Sequence, residues 1–258
     1  MLESFNTTKL LHEILGLQKD VYANEVGKPI IVKDSYINEF SKSENSVRII
    51  FDHVNLKVLH ISENIETMGG YSPKDFYRGN LLFALQLFAK EHNNFIYVWL
   101  KWAFAVQVKY GTSFKGKQAI CGIKAKHKDG HILRLLFRQC IIKETATGVV
   151  TVSAITLDDI THIMKSDFYW GRIECGTDEK YFHHLISTEK EDKAYDILSE
   201  REKETLRLLM LGKESKEIAN DLFISSHTVD NHRRNMIQKL GVRDTTGLAQ
   251  ICKMVGII

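Results

Sequence analysis

The chain has 258 residues, too many for one average domain of about 150, and its 44% hydrophobic and 26% charged content is that of a globular protein with a sizeable core rather than a disordered one. The net charge of +3 identifies no partner by itself. The four cysteines (Cys121, Cys140, Cys175, Cys252) form no C-x-x-C pair, which argues against a zinc site and a disulfide framework. No apolar run reaches the ~20 residues of a membrane span, and the first residues lack a basic stretch followed by an apolar one. A reduced, cytoplasmic protein with no membrane partner is expected.

In chain order, residues 1–45 contain an amphipathic helix candidate with Leu10, Leu11, Ile14 and Leu17. From Val47 the period changes. Residues 47–51 and 57–61 alternate as short strands, and Ser62-Glu63-Asn64 breaks the second. In the turn Gly69-Gly70-Tyr71-Ser72-Pro73, Ser72 suits a helix N-cap and Pro73 the first helical position. A long helical stretch follows, with Phe95, Val98, Trp99, Trp102, Ala103 and Val106 at helical spacing. After Gly111 come three strand candidates, residues 119–127, 131–142 and 149–157. Lys128-Asp129-Gly130 carries the hairpin signal between the first two.

This order, with Val58 to Ile61, Ser62-Glu63-Asn64, Gly70-Tyr71-Ser72-Pro73, Lys128-Asp129-Gly130 and the strand running into Asp158-Asp159-Ile160-Thr161, resembles a PAS domain over residues 46–161. The resemblance implies a sensory module whose five-stranded sheet cups a pocket or forms a dimerisation surface. Phe95, Trp99 and Trp102 are the candidate pocket lining for a small-molecule ligand, although aromatics at this spacing equally serve a core. The cofactor stays unknown. Flavin photochemistry of the LOV type needs a cysteine after the turn, where Arg78-Gly79-Asn80 is followed by Leu81. His92 is the one candidate haem ligand on the relevant helices. His183 and His184, adjacent on a strand, point to opposite faces and cannot chelate together, so no metal ligands are assigned. Residues 162–195 read as an extra β-hairpin around Gly176-Thr177-Asp178, then the charged linker Glu189 to Lys193. The hairpin either couples sensor to effector or covers a sheet edge.

Residues 196–258 are helical. Ser199 and Glu202 form a capping box, Leu206, Leu209 and Met210 recur up to Gly212, and a short helix from Ser215 carries Ile218, Ala219 and Leu222. A third helix starts at Ser225 or Ser226 and runs to Gly241 with Val229, Met236, Ile237 and Leu240 inward. A fourth runs from Thr245 with Leu248, Ile251, Cys252 and Val255 on one side. Two short helices joined by a tight turn make a helix-turn-helix. On the third helix His227, Asn231, Arg234 and Gln238 form one polar line, flanked by Thr228, His232, Asn235 and Lys239. The segment from Ser225 to Arg243 is net +3. Asn pairs bidentately with adenine and Arg with guanine.

Leu198-Ser199, Arg201-Glu202, Gly212, Lys216 to Ala219, Leu222, Ile224-Ser225, Thr228-Val229, His232-Arg233, Asn235 and Lys239 to Val242 resemble the LuxR-type (GerE/NarL-type) DNA-binding domain. That resemblance implies a transcription regulator of double-stranded DNA, acting as a homodimer with RNA polymerase as partner. Asp230, Asn231 and Arg234 would approach bases, Lys216, Thr228, Arg233 and Lys239 would hold phosphates, and Ser226 and Gln238 complete the DNA-facing set. Leu248, Ile251, Cys252 and Val255 would pair two copies. Gly247 departs from the family, and a first-turn glycine costs up to ~1 kcal/mol relative to alanine. The alternatives are a sigma-factor region-four module and a signalling scaffold that does not bind DNA. A receiver domain is not indicated, because no βαβ alternation is present. No G-x-S-x-G, Walker A, H-E-x-x-H or G-x-G-x-x-G occurs, so no enzyme is expected. The expected architecture is α+β: a PAS-like antiparallel sheet with helices, followed by an all-α four-helix helix-turn-helix domain.

Overall fold

The computed structural model describes residues 15–16, 46–89, 95–96, 99, 118–145, 150–166, 170–175, 180–185 and 198–257. The N-terminal helix candidate (apart from residues 15 and 16, which are helical), His92, Val98, Trp102, Ala103, Val106 and the run 189–193 lie outside them.

Two strands open the described chain, β1 (Val47–Asp52) and β2 (Lys57–Ile61). Asp52 closes the turn between them, accepting from the Val54 and Asn55 amides at 2.8 and 2.9 Å. The break after β2 has a polar cause. Ser62 Oγ accepts from the Arg48 amide at 2.9 Å, and Asn64 Nδ2 donates to the Ser46 carbonyl at 2.6 Å. Helix α1 (Ile65–Gly69) ends on Gly70, whose φ of 77° is the left-handed conformation a helix C-cap favours. Helix α2 (Pro73–Leu87) starts as expected: Ser72 is its N-cap, its amide donates to Asp75 Oδ2 at 2.9 Å, and Pro73 fills the first position. The helix kinks at Asn80 (φ 47°, ψ −140°). There Gly79 lets Phe83 close in, since a Cβ at 79 would lie 2.3 Å from that of Phe83.

Strands β3 (Gln118–Lys126), β4 (Ile132–Glu144), β5 (Val150–Asp159), β6 (Trp170–Cys175) and β7 (Lys180–Leu185) complete one antiparallel sheet in the order β2-β1-β5-β4-β3-β6-β7. The five strands that the PAS resemblance implies are present. The extra hairpin is β6–β7, and it extends the sheet by pairing with β3, Ile120 opposite Arg172. It therefore covers the β3 edge.

Register divides the buried residues between the two faces. Ile155 lies opposite Ile49 and Gln139, and Leu157 opposite Val47 and Phe137, so these side chains share a face. There Val47, Ile49, Phe137, Ile155 and Leu157 pack with Phe51, Val58, Ile61 and, from the helices, Ile65 and Phe76. Leu136 and Ile120, on the other face, join a second core with the C-terminal helices.

Those helices are α3 (Glu200–Met210), α4 (Ser215–Leu222), α5 (Ser226–Leu240) and α6 (Thr245–Val255). Ile160, Ile163 and Met164, just beyond β5, share one apolar cluster with Leu198, Leu206, Met236, Leu240, Val242 and Leu248. Backbone bonds reinforce the contact: the Lys165 and Ser166 amides donate to the Gly241 carbonyl at 2.8 and 3.1 Å, and the Arg243 amide to the Ile163 carbonyl at 3.0 Å. Arg243 Nε adds a bond to the Met164 carbonyl at 3.0 Å. The segment between β5 and β6 is thus joined to the helical domain, a contact that no local pattern in the sequence announces.

Candidate nucleic-acid interface

Each helix of the C-terminal domain is set by its caps. Ser199 Oγ accepts from the Glu202 amide at 3.3 Å, and Glu202 Oε2 accepts from the Ser199 amide at 2.7 Å, which is the expected capping box. Glu214 and Glu217 form a second box at the start of α4, a start that sequence reading placed at Ser215 without naming its cap. Ser225 caps α5, its Oγ accepting from the Thr228 amide at 3.0 Å, and Gly241 ends that helix at φ 68°. Asp244 caps α6 by accepting from the Gly247 amide at 2.8 Å.

Packing then orients α5. Ile218, Ala219 and Val229 form a small core with Leu208, Leu209, Leu222 and Ile224, holding α4 against α5. Met236 and Leu240 are completely buried on the same side as Val229. The opposite face is the expected polar line: His227, Arg234 and Gln238 are exposed and Asn231 is half-buried. Arg234 Nη1 donates to Asn231 Oδ1 at 3.1 Å, so the two candidate base-reading groups already orient each other. Ser226 and Lys216 are also exposed.

Several of the other expected DNA-facing residues have structural partners. Arg233 donates to Ser215 Oγ at 2.9 Å and Thr245 Oγ1 at 3.1 Å, bracing α5 to the starts of α4 and α6. Asp230 accepts from the same Ser215 hydroxyl at 2.8 Å. Thr228 shares a hydroxyl contact of 2.8 Å with Ser225 at the cap. Lys239 Nζ donates to Glu202 Oε2 at 2.7 Å. Burial alone would raise the Glu202 carboxyl pKa, but the bonds from Lys239 and Ser199 outweigh it and hold it below the ordinary value. Sequence reading missed Glu202 as an ion-pair partner because its capping role already accounted for it.

One expectation is corrected. Leu248, Ile251, Cys252 and Val255, read as the surface that pairs two copies, are core within their own chain, each at most 1% exposed. They pack against α3, α5 and the segment following β5. Burial pushes the Cys252 thiol up to about 12. The residues α6 leaves exposed are Thr246, Gln250 and Lys253. Gly247 acquires a packing reason: a Cβ there would sit 3.1 Å from the Ile163 carbonyl oxygen, tighter than ordinary contact.

In the N-terminal sheet region, Phe95 and Trp99 are buried in a cluster with Leu85, Ile96, Cys121, Ile123 and Leu135. Trp99 covers Gly171 so closely that a Cβ there would fall 1.9 Å from its ring. The observed role of this pair is core packing. Sequence reading also missed a polar group in the sheet: His53 Nε2 lies 2.8 Å from Ser153 Oγ and 3.0 Å from Gln139 Nε2. Burial lowers the His53 pKa to about 4, against a smaller opposing effect of Asp52, so the ring is neutral at pH 7. No helix among the described residues is long and apolar enough to cross a membrane.

Residues 196–252 match the family described as bacterial regulatory proteins, luxR family. The chain is 51% identical over 55 residues to the spore germination protein GerE of Bacillus subtilis, covering 21% of this chain and 74% of GerE. It is 33% identical over 145 residues to the transcriptional regulatory protein LnrK of Bacillus subtilis, covering 56% of this chain and 61% of LnrK. With MctR of Rhizobium johnstonii, 39% identical over 70 residues, coverage falls to 27% of this chain and 33% of MctR. Thus the chain spans less than two thirds of LnrK and of MctR. Among solved structures, the PAS domain of a Colwellia psychrerythraea protein is 20% identical, with 50% of this chain and 97% of that one covered, at a TM-score of 0.38. The Vibrio cholerae VqmA dimer, a LuxR-type receptor, is 15% identical over 87% of this chain and 89% of that one, at a TM-score of 0.34. The sigma-factor alternative loses its footing on the family match and the GerE identity, and the chain belongs to the luxR family of bacterial regulatory proteins.

Proposed function

We propose that this chain is a one-component, sequence-specific transcription regulator, cytoplasmic, in which the PAS-like region senses a small molecule and the helix-turn-helix reads double-stranded DNA. The observation that carries the reading is α5: one face is locked into the core by Val229, Met236 and Leu240, and the other presents His227, Asn231, Arg234 and Gln238. Two copies would place their α5 helices in successive major grooves about 34 Å apart, with RNA polymerase as the downstream partner. Since the apolar side of α6 is internal, pairing of two copies would use other surfaces, among them the exposed Thr246, Gln250 and Lys253.

The test is a binding assay on a selected operator and a scrambled duplex at two salt concentrations. Wild-type affinity falls steeply with salt, because phosphate contacts release counterions. Arg234→Ala loses about 1–3 kcal/mol of discrimination at one base pair, whereas Lys216→Ala weakens both duplexes alike. Retention that is equal on both duplexes and flat with salt would contradict the DNA reading and favour a scaffold.

Coupling between sensor and reader is supported by the joint at residues 160–166. Gly247→Ala tests it, because two effects oppose each other there. Helix propensity alone would stabilise α6 by up to ~1 kcal/mol. The added methyl, however, presses on the Ile163 carbonyl oxygen. The expected result is faster hydrogen exchange at the Lys165, Ser166 and Arg243 amides, with protection within α5 retained. Unchanged protection at all three together with a higher melting temperature would mean that the joint does not depend on this close approach.

A further inference from the structure

The β3–β4 hairpin carries a feature that the regulator reading does not use. Its sequence is His127-Lys128-Asp129-Gly130-His131. The turn is closed by backbone bonds from the His127 amide to the His131 carbonyl and from the Gly130 amide to the His127 carbonyl, both 2.9 Å. Gly130 takes the left-handed conformation at φ 100° that the tight turn needs. Closing the hairpin sets the two imidazoles across from each other, their rings stacked with centroids 4.3 Å apart. Asp129 reaches back between them. Its Oδ1 lies 2.8 Å from His127 Nδ1 and 2.5 Å from His131 Nδ1. Three donor atoms of metal-ligating type thus fall within 4.8 Å of one another.

The polarity of these contacts is the second observation. The Asp129 amide lies 3.2 Å from His127 Nδ1, a contact in which that nitrogen accepts when its tautomer leaves it without a proton. In that tautomer it faces a carboxylate oxygen, another acceptor, at 2.8 Å. Two acceptors held this close repel unless they share a cation. That cation is either a proton, which would displace the amide bond, or a metal ion.

We infer that His127, Asp129 and His131 form a surface site for a divalent transition-metal ion. Two imidazoles and one carboxylate suit zinc, nickel, copper(II) or cobalt(II), whereas magnesium and calcium favour all-oxygen sets. Ligand bonds of about 2.0–2.2 Å set ligand atoms roughly 3.0–3.4 Å apart, so the carboxylate must move outward by about half an ångström to one ångström. Three protein ligands leave coordination positions for water or for an incoming donor, and the exposure of Asp129 and His131 keeps the site open to solvent. The hairpin is anchored beneath: the Lys128 amide donates to the Gly69 carbonyl at 3.0 Å. A Cβ on Gly70 would lie 3.1 Å from the His127 ring and 2.9 Å from the Lys128 Cβ, so this hairpin rests directly on the α1–α2 turn. Occupancy would therefore stiffen that turn against the sheet.

The inference stands apart from DNA binding and is tested separately on the full chain. Cobalt(II) is the probe, read by its visible ligand-field absorption, with zinc added afterwards as competitor. One equivalent is expected to bind, zinc to displace it, and the ring resonances of His127 and His131 to shift or broaden before those of the other histidines. His127→Ala, His131→Ala and Asp129→Asn should each weaken binding by at least about tenfold, no less than the loss of an outer-shell partner costs. Circular dichroism of each variant checks that it folds, which the surface position of the hairpin favours. Equal cobalt affinity in the wild type and a folded His127→Ala/His131→Ala double variant would overturn the site. So would a wild type that binds no cobalt at neutral pH.

Discussion

Replacing Leu248 with alanine should lower the unfolding free energy by about 2–5 kcal/mol, the cost of truncating a fully buried leucine, and by the same amount at low and high protein concentration. The side chain is completely buried in the cluster that joins α3, α5, α6 and the segment following β5. Truncation leaves a cavity there that rigid neighbours from four elements cannot readily fill. Had Leu248 belonged to a surface between two copies, the loss would instead grow as the protein is diluted, because dimer stability follows mass action. Denaturant melts at two concentrations tenfold apart separate the cases. A concentration-dependent shift would restore α6 as the dimer helix and require the apolar cluster to open.

The second large effect is expected from Lys239→Ala. Its ammonium is the cationic partner of Glu202, whose side chain is 4% exposed. Removing it leaves a buried carboxylate with only its Ser199 bonds, at a cost of about 1–3 kcal/mol. The pH dependence carries the diagnostic sign. Since the folded Glu202 pKa is held below the unfolded one, the carboxylate contributes stability that is fully present above the unfolded value. That contribution is lost as pH falls through the lowered folded value. Lys239→Ala should therefore flatten the acid limb of the stability curve, and Glu202→Gln should flatten it too. A melt in which the variant follows the wild type from neutral to acidic pH would show that the pair adds nothing. Because Lys239→Ala acts through folding, Lys216 is the cleaner position for measuring a phosphate contact.

Much of the C-terminal domain was legible because its signals are local. Caps act within three residues, as Ser199 with Glu202 and Ser225 with Thr228 show, and Gly241 stops a helix by its own φ. The polar face of α5 followed from helical period alone, since Val229, Met236 and Leu240 could turn inward only by turning Asn231 and Arg234 outward. The hairpin at Asp129-Gly130 was likewise local, but its chemistry was not. Neither histidine means anything until antiparallel closure brings them face to face across the turn.

What the tertiary structure decided is where apolar faces go and which charges meet. Amphipathic period states that one side of α6 is apolar; it does not say whether that side is covered by a second copy or by the same chain. Here Ile163 and Met164, some eighty residues earlier, help to cover it. The same holds for Gly247. As sequence it is a weak first-turn residue of a helix; in the fold it is the gap that admits a carbonyl oxygen from the segment following β5. Lys239 and Glu202, 37 residues apart, form an ion pair only because α3 and α5 cross. Capping, turn geometry and period are short-range and can be read along one chain segment. The covering of a face and the pairing of distant charges depend on the whole packing, and they determined which of the expected DNA-facing and pairing residues serve the fold itself.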